Sequence, residues 1–126
     1  MALAETDALI VFAHGSRVAE ANRAVEELTS AAAARAGFSR WKAAFLELAA
    51  PDLKAAVAAL AAEGAKRVIV TPYFLVMGVH LRDDLPELLA EAARQSPGVE
   101  VKASEQLGGH PELAEIVAER ALTAAG

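Results

Sequence analysis

Residues 8–16 read Ala-Leu-Ile-Val-Phe-Ala-His-Gly-Ser, six apolar residues without a break and then an abrupt change to small and polar ones. A strand with one face in water alternates apolar and polar residues, whereas an unbroken apolar run suits a strand covered by helices on both faces of a parallel sheet. The stretch predicts a buried strand whose tip is His14-Gly15-Ser16.

Outward from this strand the pattern repeats. Strong helix formers run from about Glu20 to Ala36, with Val25, Leu28 and Ala32 at helical spacing and Gly37 where a left-handed cap is wanted. Arg40 to Glu47 reads as a second strand, and Pro51 precedes a stripe of Leu53, Val57 and Leu60 that ends at Gly64. Arg67-Val68-Ile69-Val70, closed by Pro72, is a third strand. Asp84-Leu85-Pro86-Glu87 resembles a capping box and predicts a helix start there, with Leu85, Leu88, Leu89 and Ala92 inward. Val99 and Val101 mark a weaker edge strand, and His110-Pro111-Glu112 opens a last helix expected to turn Leu113, Ile116, Val117 and Ala121 inward. Four strand–helix units predict an α/β domain spanning residues 1–126, a parallel sheet with right-handed crossovers and helices on both faces. About a quarter of the chain is Ala, which favours helix.

Composition excludes several function classes. With 12 Lys and Arg against 17 Asp and Glu, the net charge is −5, so the basic field that nucleic acid binding draws on is missing. The absence of Cys rules out disulfides, thiolate metal sites, iron–sulfur clusters and a Cys nucleophile. A chain 55% hydrophobic and 23% charged is globular rather than disordered. No basic leader opens the sequence, and no apolar run approaches the ~18 residues of a membrane span, which predicts a soluble cytoplasmic protein. Loops of the form GxxxxGK[ST], GxGxxG and GxSxG are absent, so the chemistry expected needs neither nucleotide nor acyl-enzyme.

Ligands of an open parallel sheet bind beyond the carboxyl ends of its strands. The first strand ends at His14, the second at Glu47, the third runs towards His80 and the fourth towards His110, so all three histidines fall at that edge. Gly15 would let a ligand approach the backbone. Glu47 follows an apolar run, and partial burial would raise its proton affinity towards that of a general base. Two imidazoles and a carboxylate suit a borderline divalent ion such as Co²⁺, Fe²⁺, Ni²⁺ or Zn²⁺. Arg17 and Arg82 each follow one of these histidines near an expected helix start, a placement that suits an anionic ligand. The loop Phe74-Leu75-Val76-Met77-Gly78-Val79 is too apolar to face water without a partner.

Taken together, Ala13-His14-Gly15-Ser16-Arg17, Glu47 with Pro51 and Asp52, Pro72-Tyr73-Phe74-Leu75 with Gly78, His80, Asp84 and Pro86, and Leu107-Gly108 with His110-Pro111 resemble the CbiX/SirB family of sirohydrochlorin chelatases in its short, single-domain form. The blocks occur in order over nearly the whole chain. The resemblance implies a chelatase-like three-layer α/β/α fold with a four-stranded parallel sheet in the order 2-1-3-4. It implies a lyase that inserts Co²⁺ or Fe²⁺ into sirohydrochlorin without ATP, in cobalamin or sirohaem biosynthesis, with no cofactor beyond the substrate metal. By similarity His14 and His80 would handle the metal and accept protons with help from Glu47. Arg17 and Arg82 would orient the carboxylate-bearing macrocycle, and Ser16, Phe74, Leu75, Met77 and Gly78 would line its site. His110 is expected to cap a helix.

A flat macrocycle is best enclosed from two sides, so a two-fold dimer joined near Phe74 to Val79 is expected. Two other readings use the same residues. A non-catalytic carrier would bind metal or tetrapyrrole and pass it on. A histidine phosphatase also begins with a strand and His-Gly, but that group's Arg before the His is Ala13 here.

Overall fold

In the computed structural model, which describes residues 3–126, the central strand β1 (Asp7–Ala13) is buried at all seven positions, as its unbroken apolar run requires. It lies between β2 (Arg40–Phe45) and β3 (Arg67–Pro72), and β4 (Glu100–Ala103) extends the sheet beyond β3. All pairings are parallel and the order is β2-β1-β3-β4. Helices α1 (Ala19–Ala36), α2 (Leu53–Ala62), α3 (Val79–Gln95) and α4 (Glu112–Ala125) follow the four strands in turn.

Alternate side chains of β1 supply two different cores. Ala8, Ile10 and Phe12 join Val68 and Val70 of β3, and α2 with α3 closes this side through Val57, Leu60, Leu85 and Ala92. Leu9 and Val11 point the other way, under α1, where Ala33 is buried. Thr29 is buried in the same helix because its hydroxyl donates to the Val25 carbonyl at 2.7 Å. At the amino edge of the sheet Arg67 makes two bonds to the buried Asp7 carboxylate, of 3.1 and 2.8 Å, and so ties β3 to β1.

The helix expected to open at Asp84 starts earlier, at Val79, with Gly78 as its N-cap and no capping box. An inward stripe explains why: half-buried Leu81 and Leu88 and buried Leu85 and Ala92 fall at four- and three-residue steps and carry the helix through Pro86. His80 and Arg82 therefore sit in the first turns of α3 rather than on a loop. The second strand is shorter than expected, ending at Phe45, whose N–H donates to the Pro51 carbonyl as the chain turns across the Ala50–Pro51 cis bond. The largest departure is α4. None of its residues is buried, and Ile116 and Val117, expected inward, are exposed.

Candidate functional site

The tips of β1 and β2 are pinned together by backbone bonds that extend their ladder. The Leu46 N–H donates to the Ala13 carbonyl at 2.9 Å, and the Glu47 N–H to the His14 carbonyl at 3.0 Å. Gly15 makes this approach possible. Its φ is +95°, and a Cβ there would lie 1.9 Å from the Glu47 carbonyl oxygen, so no other residue fits without moving the chain. Beyond the crossing, Leu48 takes a φ of +68°, a region that non-glycine residues seldom occupy and that clusters near functional sites.

This geometry brings the side chains of His14 and Glu47 together, with Nε2 3.3 Å from Oε1. Both are open to water, each side chain 58% exposed. The desolvation expected for Glu47 is therefore absent. The strand tip ends in solvent, and the apolar residues before Glu47 are buried without taking its carboxylate with them. The other ring nitrogen of His14, Nδ1, lies 3.3 Å from the Gly15 carbonyl oxygen.

His14 faces a hollow of ≈ 390 Å³ that it shares with His80, and Phe74, Val79 and Leu46 form much of the wall. Phe74 is held by edge-to-face contact with the core residue Phe12, their ring centroids 6.2 Å apart. His80 reaches the hollow from the first turn of α3, where Gly78 caps the helix and accepts from the Arg82 N–H at 3.0 Å. Asp84, one turn after His80, also lines the hollow. The sequence reading treated Asp84 as a helix start; its spacing of four from His80 becomes a signal only once the helix is known to begin at Val79.

Other expected site residues lie elsewhere. Arg82 and Met77 line a second, larger hollow of ≈ 900 Å³ with Gln106 and His110, on the other side of the start of α3. Neither Arg82, near Asp83 at 4.0 Å, nor the exposed Arg17 borders the first hollow. Ser16 braces its own loop: its Oγ accepts from the Val18 N–H at 3.0 Å, while Asn22, which the sequence reading did not single out, bonds both the Ser16 N–H and carbonyl. Leu75 is exposed, and its carbonyl packs so closely on Gly108 that a Cβ there would sit 1.9 Å away. His110 caps α4, its Nδ1 accepting from the Glu112 N–H at 3.1 Å.

Among the described residues no three His, Asp or Glu side chains converge tightly enough to enclose a metal ion. One domain offers the His14–Glu47 pair with His80 across the hollow, an open arrangement with coordination positions to spare.

Residues 8–124 match the CbiX family model. The chain belongs to the CbiX family. This CbiX chain is 36% identical over 118 residues to the chloroplastic sirohydrochlorin ferrochelatase of Arabidopsis thaliana, a match covering 94% of this chain and 52% of that one. It is 30% identical to the sirohydrochlorin cobaltochelatase of Methanopyrus kandleri, covering 94% and 97%. The CbiX fold superposes on a cobalamin biosynthesis CbiX protein from Marinobacter aquaeolei with a TM-score of 0.81 at 27% identity, covering 94% and 97%. The cobalt complex of the sirohydrochlorin chelatase SirB from Bacillus subtilis subspecies spizizenii gives 0.83 at 26% identity, with 93% of this chain on 50% of that one. The chain thus spans about half the length of some relatives and nearly all of others.

Proposed function

We propose that this chain is an ATP-independent sirohydrochlorin chelatase, a lyase that places Co²⁺ or Fe²⁺ in the macrocycle on the way to cobalamin or sirohaem. The observation that carries the reading is the His14–Glu47 pair at the edge of a hollow that His80 enters from the opposite element. Relatives named as ferro- and cobaltochelatases of sirohydrochlorin support the substrate and the metals.

Insertion requires two pyrrole N–H protons to leave as the ion enters. Neutral imidazole can coordinate a borderline divalent ion through a ring nitrogen and can also accept a proton. In this reading His14 and His80 divide these tasks. Glu47 lies beside His14, where its negative charge meets either an arriving cation or a proton taken by the ring. Phe74, Gly78 and the neighbouring apolar wall receive the face of the macrocycle, and Ser16 steadies the loop that carries His14. Arg17 and Arg82 lie outside the hollow, where their charge serves peripheral carboxylates rather than the ring centre. The metal is substrate, and no further cofactor is needed.

The acting unit is the domain over residues 1–126, in the cytoplasm, working as a homodimer joined near Phe74 to Val79. Exposed Leu75 and Val76 support that contact, and the charge of −5 speaks against nucleic acid as a partner. No helix among the described residues is long and apolar enough to cross a membrane.

The test is to mix the protein with sirohydrochlorin and Co²⁺ or Fe²⁺ and follow tetrapyrrole absorption. Many turnovers per protein are expected. A halt at one equivalent would instead identify a carrier, and no spectral change would remove the tetrapyrrole reading altogether.

A further inference from the structure

Both ring nitrogens of His14 face an oxygen. Nε2 lies 3.3 Å from Glu47 Oε1, and Nδ1 lies 3.3 Å from the Gly15 carbonyl oxygen. A neutral imidazole carries one N–H, so it can satisfy only one of the two and must turn a lone pair towards the other. A divalent ion set between Nε2 and the carboxylate removes the conflict. The lone pair and Oε1 then share the ion, and the single N–H lies on Nδ1 and donates to the Gly15 carbonyl. Imidazole ligands of metal ions commonly give their second ring N–H to such an acceptor, which fixes both tautomer and ring orientation. A ring used in this way depends on where the Gly15 carbonyl points.

Gly15 does not settle that direction by itself. Its φ of +95° belongs to the residue type with the widest backbone freedom, and rotation of the peptide unit after it would carry the carbonyl away from His14. Asn22 of α1 holds that unit. Its Oδ1 accepts from the Ser16 N–H at 3.0 Å, and its Nδ2 donates to the Ser16 carbonyl at 2.8 Å. The Ser16 N–H and the Gly15 carbonyl belong to one planar trans peptide and point in opposite directions, so anchoring the first at Asn22 aims the second at His14. The helix gains little from an asparagine here, because α1 is rich in Ala and Asn is a poorer helix former. Asn22 does not line the hollow shared by His14 and His80, so it reaches the ring through the backbone and not by touching substrate.

We propose that Asn22 is a positioning residue for metal handling: through the Gly15–Ser16 peptide it keeps His14 with Nδ1 protonated, leaving Nε2 and Glu47 to take the ion together. This role rests on the chelatase reading for its purpose in catalysis, and on the hydrogen bonds alone for its effect on the ring. The two residues answer each other. Only glycine lets the Glu47 carbonyl come so close to the tip of β1, and Asn22 removes the freedom that the glycine brings with it.

The test uses Zn²⁺ alone, a diamagnetic ion that binds imidazole, with long-range ¹H–¹⁵N correlation spectra of the histidine rings. The His14 signals are those lost in His14→Ala. In the parent chain with Zn²⁺, His14 is expected to show a protonated Nδ1 and a ligated Nε2, and ligation through Nδ1 would overturn the proposal. Asn22→Ala is expected to keep its circular dichroism spectrum and to lose the single His14 tautomer. Its Zn²⁺ affinity, read from the His14 signals during titration, should fall roughly 10–100-fold. Asn22→Asp keeps an acceptor for the Ser16 N–H and is expected to restore the parent's ring spectrum. Parent-like affinity in Asn22→Ala sinks the proposal. Should the alanine chain fail to fold, the aspartate variant decides alone, a parent-like His14 spectrum supporting the role and a mixed one overturning it. With Co²⁺ and sirohydrochlorin, half-saturation by the metal should rise in Asn22→Ala while KM for the macrocycle stays put; a rise confined to the macrocycle would overturn the assignment to His14. A parent chain that shows the expected ring with Zn²⁺ but inserts no metal removes the chelatase and leaves Asn22 in its role, whereas insertion with Nδ1 ligated removes only the role of Asn22.

Discussion

At the scale of single residues, the site depends on a glycine as much as on its histidines. Gly15→Ala puts a methyl group against the Glu47 carbonyl at a φ that disfavours any side chain. It is expected to cost more than about 2 kcal/mol in urea denaturation, because the strain and the clash add. His14→Ala and His80→Ala remove exposed side chains, so their unfolding midpoints should stay close to the parent's. Each should slow metal insertion by roughly 100-fold or more, as loss of a positioned acid–base group does. A near-normal initial rate in either variant removes that residue from the mechanism. The end of β1 just before His14 was legible, since a continuous apolar run has only one natural end, whereas β2 stops two residues short of Glu47. The exposure of Glu47 was not legible, because solvation depends on what stands beside the tip rather than on what precedes it in the chain.

Among elements, α3 and the pair β1–β3 carry tests of their own. Pro86 sits in the interior of α3, where a residue with an N–H would close a bond on the Arg82 carbonyl. Pro86→Ala is expected to stabilise the protein by about 1–3 kcal/mol in chemical denaturation. A destabilised variant would mean that the proline ring shapes the helix in a way the alanine cannot. Across β1 and β3, the Arg67 side-chain bonds, together with the Ala4 N–H, hold the Asp7 carboxyl below the usual carboxylate range. A carboxyl whose folded value is depressed contributes stability at neutral pH that fades as pH falls through its unfolded and then its folded value. Asp7→Asn should therefore be less stable than the parent at pH 7, and the gap should close below about pH 4, read from denaturation midpoints across pH. The start of α3 shows why element boundaries were harder to read than element types. Asp84 and Pro86 signal a helix start locally, and the half-buried Leu81 one turn ahead of the buried Leu85 extends the stripe past them.

For the whole molecule, the core and the proposed site are housed apart. The larger core lies between the sheet and the helices α2 and α3, while His14, Glu47 and His80 gather at the exposed carboxyl edge. Leu60→Ala, at a fully buried position, should cost about 2–5 kcal/mol of stability and leave the initial insertion rate unchanged well below its unfolding temperature. A rate that falls in step with stability would show that the edge is not independent of the core.

The sequence by itself determined the four strand–helix units, the burial of β1 and the edge at which chemistry could sit, because period and apolar run length are properties of neighbouring residues. Recognition of the family's ordered motifs added the strand order and the substrate proposed above. Only the tertiary structure decided that His80 belongs to a helix, that Arg82 and His110 border a different hollow from His14, and that α4 buries none of its residues among those described. Those outcomes turn on which surfaces remain to be buried once the other elements have packed, a quantity that no local stretch of chain contains.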